Sequence, residues 1–202
     1  MKASNRSRKH LRSRANILSV AREQILAHGV ENLSLRGVAE QAGYSPASLY
    51  EYFDGKDDLI ATLARDVSQK LDASMAAVPA QLAPARRLVR LSTAYVDFAR
   101  AYSQDFLLLF SRLSSERKSV REPVGASSPY ARVMAAASEG CDSGAFRSAE
   151  GFGAEEIAYS VWALAHGMAM LQLTHLRGYQ ADFETSDRQA LERLVESFAA
   201  DQ

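Results

Sequence analysis

Cysteine is almost absent from this sequence. Cys141 is the only one in 202 residues, so no intrachain disulfide can form, and a reducing compartment such as the cytoplasm suits the chain. A lone thiol of this kind is either a buried packing residue or a redox sensor. Proline is nearly as scarce, with five in the chain. Leucine and alanine dominate and long stretches keep a helical period, so an all-α fold is expected. No apolar run approaches the ~18 residues of a membrane span, and Met1 to Arg14 lacks the apolar core of a signal peptide. Neither a membrane partner nor export is therefore expected. Enzyme signatures are missing as well. There is no Gly-x-Ser-x-Gly, no phosphate-cradling glycine loop, no Cys-x-x-Cys and no His-Glu-x-x-His. His10, His28, His166 and His175 lie scattered without metal-ligand spacing, so no metal and no cofactor is expected, and a helical enzyme is the least favoured reading.

Net charge is also lacking, at zero overall, but the balance hides an asymmetry. Residues 1–56 hold nine Lys and Arg against five acids, and six of those nine precede Ala15 with no acid among them. A basic arm of this kind suits phosphate neutralisation, whereas zero net charge argues against blanket coating of nucleic acid. The arm is equally readable as a solvated tail.

Beside the arm lies the most informative stretch, Ser34 to Lys56. Ser34 is placed to cap a short helix whose Leu35, Val38, Ala39 and Ala42 recur at helical spacing. Gly43 supplies the left-handed residue on which helices commonly end. Ser45 then caps a second helix with Pro46 at its first position. Leu49 and Phe53, four apart, bury its inner face. Ala47, Ser48, Tyr50 and Tyr52 are left largely outward, and Asp54-Gly55 closes the segment. Two short helices joined by a glycine-containing turn form a helix-turn-helix over 34–53, unless they are an ordinary helical hairpin in a larger core. In the first case small Ala47 and Ser48 allow close approach to base edges, while the hydroxyls of Ser45, Tyr50 and Tyr52 can bond phosphates.

The run from Val38 to Leu59, and above all Leu49-Tyr50-x-Tyr52-Phe53-x-x-Lys56, resembles the DNA-binding signature of the TetR family of transcriptional regulators. The resemblance covers roughly residues 12–60. It implies a basic arm and DNA-binding domain over 1–56, followed by a helical regulatory and dimerisation domain over 57–202. The residues placed toward double-stranded DNA are Ser34, Arg36, Ser45, Pro46, Ala47, Ser48, Tyr50, Tyr52 and Lys56.

Outside that signature the periodicity sets the expectations. Helices are expected over Leu11–His28 (Ile17, Leu18, Ala21 and Ile25 inward), Lys56–Ala77, Ala85–Ser103, Asp105–Leu113, Pro129 to about Gly140, and Ala154–Thr174. A last helix is expected to be capped by Ser186, and loops are expected over 114–128 and 141–153. Trp162-x-x-x-His166-Gly167 resembles a segment of some TetR C-terminal domains. That resemblance implies homodimer contacts through the last two long helices, at Leu164, Met168, Leu171, Leu191, Leu194, Val195 and Phe198, unless these are intramolecular core. It also implies a small-molecule cavity lined from Tyr95, Phe98, Tyr102, Phe106, Phe110, Trp162, His166 and Met170. An aromatic stripe at helical spacing is equally the mark of plain core, and His166 reads first as a satisfied core histidine. No charged residue sits clearly on these faces, which favours a neutral or aromatic ligand.

The function so implied is a DNA-binding repressor released from a palindromic operator by a small-molecule effector. The alternative is a TetR-like regulator without such a ligand, controlled by a protein partner or by its own level.

Overall fold

The computed structural model describes residues 5–110 and 128–200. Within them the fold is all-α as expected, with nine helices, one turn of 3-10 helix and no strand. None of the described helices is long and apolar enough to cross a membrane. The chain forms two compact units, one of residues 5–67 with 107–110, the other of 68–106 with 128–200. The loop expected over 114–128 lies outside the described residues apart from Ser128, as does the end of the helix expected to reach Leu113.

In the first unit, α1 (Asn5–His28) buries Ile17, Leu18, Ala21 and Ile25, the expected stripe, and Val20 beside it. It begins six residues earlier than the expected Leu11, so the arm is helical from Asn5. Gly29, at φ 83°, breaks it, and one 3-10 turn (Val30–Asn32) leads to α2 (Leu35–Ala42). α2 ends on Gly43 at φ 78° and ψ 31°. There the Tyr44 amide reaches the Ala39 carbonyl at 2.9 Å and the Gly43 amide that of Glu40 at 3.3 Å, the paired bonds that satisfy a helix terminus. α3 (Pro46–Leu49) is shorter than expected. Regular helix stops at Leu49 because the next bonds tighten, Tyr52 N–H to Leu49 O at 2.9 Å, three residues apart. Phe53 N–H still reaches Leu49 O at 3.0 Å, which keeps Leu49 and Phe53 on one side, both buried. α4 (Lys56–Ala76) contributes Leu59, Ile60 and Leu63 to this core, with Asp57 and Asp58 in its first turn where the helix dipole favours acids.

In the second unit, α5 (Pro84–Ala101) packs against α7 (Pro129–Asp142), α8 (Ala154–Leu173) and α9 (Phe183–Glu196). α6 (Ser103–Phe110) follows α5 after a break at Tyr102, whose φ of −125° and ψ of 47° are non-helical. Three arginines tie the helices together. Arg132 grips the Asp72 carboxylate with two bonds, at 2.6 and 3.0 Å. Arg87 pairs with Glu139, and Arg100 pairs with Asp187, which also accepts from Gln172 at 2.8 Å. Gly140 lies against the Phe146 ring so closely that a Cβ there would stand 2.1 Å from two ring carbons. The last helix begins earlier than expected. Asp182, not Ser186, caps it by accepting the Thr185 amide at 3.0 Å, and Ser186 falls inside the first turn.

Candidate nucleic-acid interface

The α2–α3 segment is built from local hydrogen bonds. Ser34 Oγ accepts the Gly37 amide at 3.0 Å, and a side chain on Gly37 would crowd that hydroxyl at 2.9 Å. Ser45 Oγ accepts the Ser48 amide at 3.2 Å and shares a 2.8 Å bond with Ser48 Oγ. With both ends capped, the turn holds Ser45, Pro46, Ala47 and Tyr50 outward. Tyr50 is 62% exposed although it is large and apolar, so no packing within the unit explains it.

Other expected contact residues are already engaged. Arg36 is exposed but ion-paired with Glu40 at 2.9 Å, which holds its guanidinium pKa up through a hydrogen bond and charge. Lys56 donates to the Glu31 carbonyl at 2.9 Å, tying α4 to the 3-10 turn. Tyr52 is half-buried. Its ring stacks on His10 at 4.6 Å between centroids and meets Tyr44 edge-on at 6.2 Å. Tyr52, expected largely outward, thus has its ring packed within the unit. The contacts of His10 and Tyr44 escaped sequence reading, yet a signal for His10 existed, since 10 and 14 lie at helical spacing on the face that carries the buried Ile17 and Ala21.

The residues expected around a ligand divide. Tyr95, Phe98 and Phe106 are buried, while Trp162, His166 and Met170 are half-buried. Tyr95 meets Phe106 edge-on at 5.3 Å and Trp162 at 4.5 Å, and its hydroxyl lies 2.9 Å from His166 Nδ1. Burial pushes the Tyr95 hydroxyl pKa up and the His166 pKa down, so at neutral pH the bond joins two neutral groups. Tyr130, unforeseen, closes on Trp162 edge-on at 5.6 Å. Tyr102, 52% exposed at the α5–α6 break, keeps its ring 4.9 Å from that of Phe98, and Phe110 belongs to the other compact unit. Ser92 on α5, also unforeseen, is buried with its hydroxyl unpartnered.

The residues expected at a dimer interface divide as well. Leu191, Val195 and Phe198 are covered by their own chain, so they have almost no surface left to give a partner. Leu164 and Met168 are half-buried, as is Leu194, and Leu171 is exposed. Among the described residues no group of three or more His, Cys, Asp or Glu could hold a metal ion.

Comparison with known proteins accords with this geometry. Residues 17–63 match the model of bacterial regulatory proteins of the tetR family. Residues 88–198 match that of the tetracyclin repressor-like C-terminal domain. The HTH-type transcriptional regulator Rv1816 of Mycobacterium tuberculosis is 35% identical over 57 residues, 28% of this chain and 24% of that protein. The chain thus spans about a quarter of the length of the curated relatives it matches. Among solved structures, a protein of unknown function from Rhodococcus sp. RHA1 superposes with a TM-score of 0.76 at 24% identity, covering 93% of this chain and 96% of that one. A tetR-family regulatory protein from Rhodococcus RHA1 gives 0.72 at 19%, covering 94% and 98%. The regulator FadR from Bacillus subtilis in complex with stearoyl-CoA gives 0.71 at 16%, covering 91% and 98%. These likenesses concern the fold. Because the two family models together match most of its length, the chain belongs to the TetR family of bacterial transcriptional regulators.

Proposed function

We propose that the chain is a repressor that binds a palindromic operator as a homodimer and leaves it when a small molecule enters the helical C-terminal unit. The observation that carries the DNA part is the doubly capped α2–α3 turn, which holds Pro46, Ala47 and Tyr50 outward with nothing of the unit covering them. Such a turn enters the major groove, and a two-fold site spaces two of them by ~34–36 Å. Ser34 and Ser45 spend their hydroxyls on caps and Ser48 Oγ is bonded to Ser45 Oγ, so base reading falls first to Pro46 and Ala47, and phosphate contact to Tyr50 and, through its remaining hydrogens, Lys56. Ala47→Lys tests this. It should lose discrimination between the operator, recovered from a randomised duplex pool, and random duplex, while nonspecific affinity rises with the added charge. Recovery of the same site by variant and parent would refute it.

For the effector, Tyr95 and His166 are both neutral and satisfy one another, so an entering group must replace their bond without bringing charge into the cluster. A neutral aromatic molecule with one hydrogen-bonding group meets that demand. FadR, bound to stearoyl-CoA, is a protein of this fold with an occupant. A second reading is favoured by the full burial of Tyr95 and Phe106 against each other, which leaves no space between them. In that reading a protein partner or the protein's own level controls it. A thermal-shift screen of neutral aromatics separates the two: hits that also release operator duplex support the effector, and a screen without any supports the partner.

A further inference from the structure

The second half of α4, residues 68–76, belongs to the C-terminal unit and buries Leu71 and Met75. One charge stands on either side of that stripe. Lys70 and Asp72 are two residues apart and so about 200° apart around the helix, with Leu71 between them. Each is met by a different element. The Arg132 guanidinium of α7 grips the Asp72 carboxylate at 2.6 and 3.0 Å, and the pair is partly buried. Lys70 Nζ lies 3.9 Å from the carboxylate of Asp105, a buried residue near the start of α6.

Both contacts start beside the aromatic cluster. Phe106, the residue after Asp105, sets its ring edge-on to Tyr95 at 5.3 Å. Tyr130, two residues before Arg132, meets Trp162 edge-on at 5.6 Å, and Trp162 lies 4.5 Å from Tyr95. The opening turn of α7 is held as one piece, because Ser128 Oγ accepts the Ala131 amide at 3.0 Å and Pro129 is buried. A shift of Tyr130 is therefore a shift of Arg132. Ion pairs that merely stapled helices would have no reason to start, both of them, within two residues of the same ring cluster.

We propose that Arg132 and Asp105 form a two-armed yoke on α4, at Asp72 and Lys70, through which the packing of the Tyr95–Trp162 cluster sets the position of that helix. The inference rests on the release of DNA proposed above and adds to it the side chains that transmit the signal. Arg132–Asp72 is the stronger arm, since a two-bond guanidinium grip fixes orientation as well as distance. The Lys70 arm is a longer contact from a half-exposed side chain and contributes less. α4 is unbroken from Lys56 to Ala76, and its Leu59, Ile60 and Leu63 belong to the core of the DNA-binding unit, so the yoked half and the DNA-side half are one helix. Coupling between two binding sites is reciprocal, so DNA held by the first unit must in turn alter the packing of the cluster.

That reciprocity supplies a test that needs no effector. Trp162 is the only tryptophan of the chain, so its emission reads the cluster directly. The full chain is titrated with the duplex that it selects from a randomised pool; anisotropy of the labelled duplex follows binding, and Trp162 emission follows the cluster. In the parent, emission should change and saturate together with binding. Asp72→Asn should still bind the duplex and lose most of that change, Lys70→Gln should lose a smaller part, and the two combined should lose all of it. Tyr130→Leu, which leaves both ion pairs in place, should lose most of it as well. Lys70 is half-exposed, so Lys70→Gln reads its arm in a folded chain whatever Asp72→Asn does to stability. A parent whose emission ignores bound duplex, or a combined variant that responds as the parent does, overturns the proposal and leaves the DNA reading standing. A chain that selects no duplex sinks the DNA reading itself, and the effector is scored separately by the thermal-shift screen.

Discussion

Gly167 separates the needs of the fold from those of a dimer. It lies well inside α8, where glycine costs about 0.5–1 kcal/mol relative to alanine. A Cβ built there meets no atom of the chain within 4 Å. The chain's own packing therefore gives no reason for glycine, and Gly167→Ala in an isolated subunit should gain about 0.5–1 kcal/mol. For a domain of 150–250 residues that raises Tm by roughly 1–4 °C. The neighbouring surface suggests why glycine stands there. Ala163 four residues before and Leu171 four residues after are exposed, and Leu164 and Met168 are half-exposed beside them. Two copies of α8 crossing at Gly167 would bring backbones close, and a side chain there would hold them apart. Gly167→Phe should accordingly keep the parent's helical circular dichroism, sediment as a monomer at micromolar concentration where the parent is a dimer, and lose the concentration dependence of Tm. A Gly167→Phe chain that sediments with the parent and melts at the same temperature would show that this face joins nothing.

Gly140→Ala should destabilise the second unit by about 1–3 kcal/mol, because its Cβ would fall 2.1 Å from two carbons of the buried Phe146 ring; the added change Phe146→Leu should recover part of the loss in thermal melts. Asp72→Asn should cost about 1–2 kcal/mol at neutral pH by breaking the two-bond grip of Arg132. Since Arg132 holds the Asp72 carboxyl below 3.8, that contribution is present above this value and is lost as pH falls through the lowered folded-state pKa, so urea titrations of parent and variant should converge in strong acid. His166 works in a higher window. Burial lowers its pKa from 6.5, so the unfolded chain takes up the proton first, and stability should be level above 6.5 and fall as pH drops toward the folded-state value; His166→Phe should lack that fall, and an equal fall in both chains would refute the assignment.

The helix-turn-helix was legible because its determinants are local. Ser34 and Ser45 each bond an amide three residues on, Gly43 adopts the left-handed conformation in place, and Leu49 and Phe53 sit one turn apart. Each of these can be read within a window of a few residues. The second unit is held by pairs that no such window contains: Arg87 with Glu139, Arg132 with Asp72, Arg100 with Asp187. Its helix positions follow from periodicity, but which charges meet does not. The same limit explains Tyr52 and Lys56. Each sits where a DNA contact was expected, and each is engaged by a partner at least 25 residues away, Tyr52 by His10 and Lys56 by the Glu31 carbonyl. The start of α9 was missed for a smaller reason. Asp182 and Ser186 are both good caps, and the choice between them turns on Phe183, an apolar residue that the earlier start makes the first of the helix.

The residues expected at an interface show what periodicity leaves open, and also how to resolve it. A stripe of apolar positions says that one face of a helix is covered; it does not say by which chain. α9 has a single such stripe, Leu191 and Val195 four apart, and the same chain covers it completely. α8 has two. Ile157, Val161, Ala165 and Ala169 form one and are buried in the unit. Tyr159, Ala163, Leu164, Met168 and Leu171 lie off that stripe, with Tyr159 67% and Leu171 49% exposed. A helix that is apolar on both sides must be covered on both sides, and one subunit covers only the first. The surplus that argues for a second copy is therefore on α8. Of the seven residues expected at the interface, those on α8 keep the surface to form one, and on α9 only Leu194, which lies off the buried stripe, can join them.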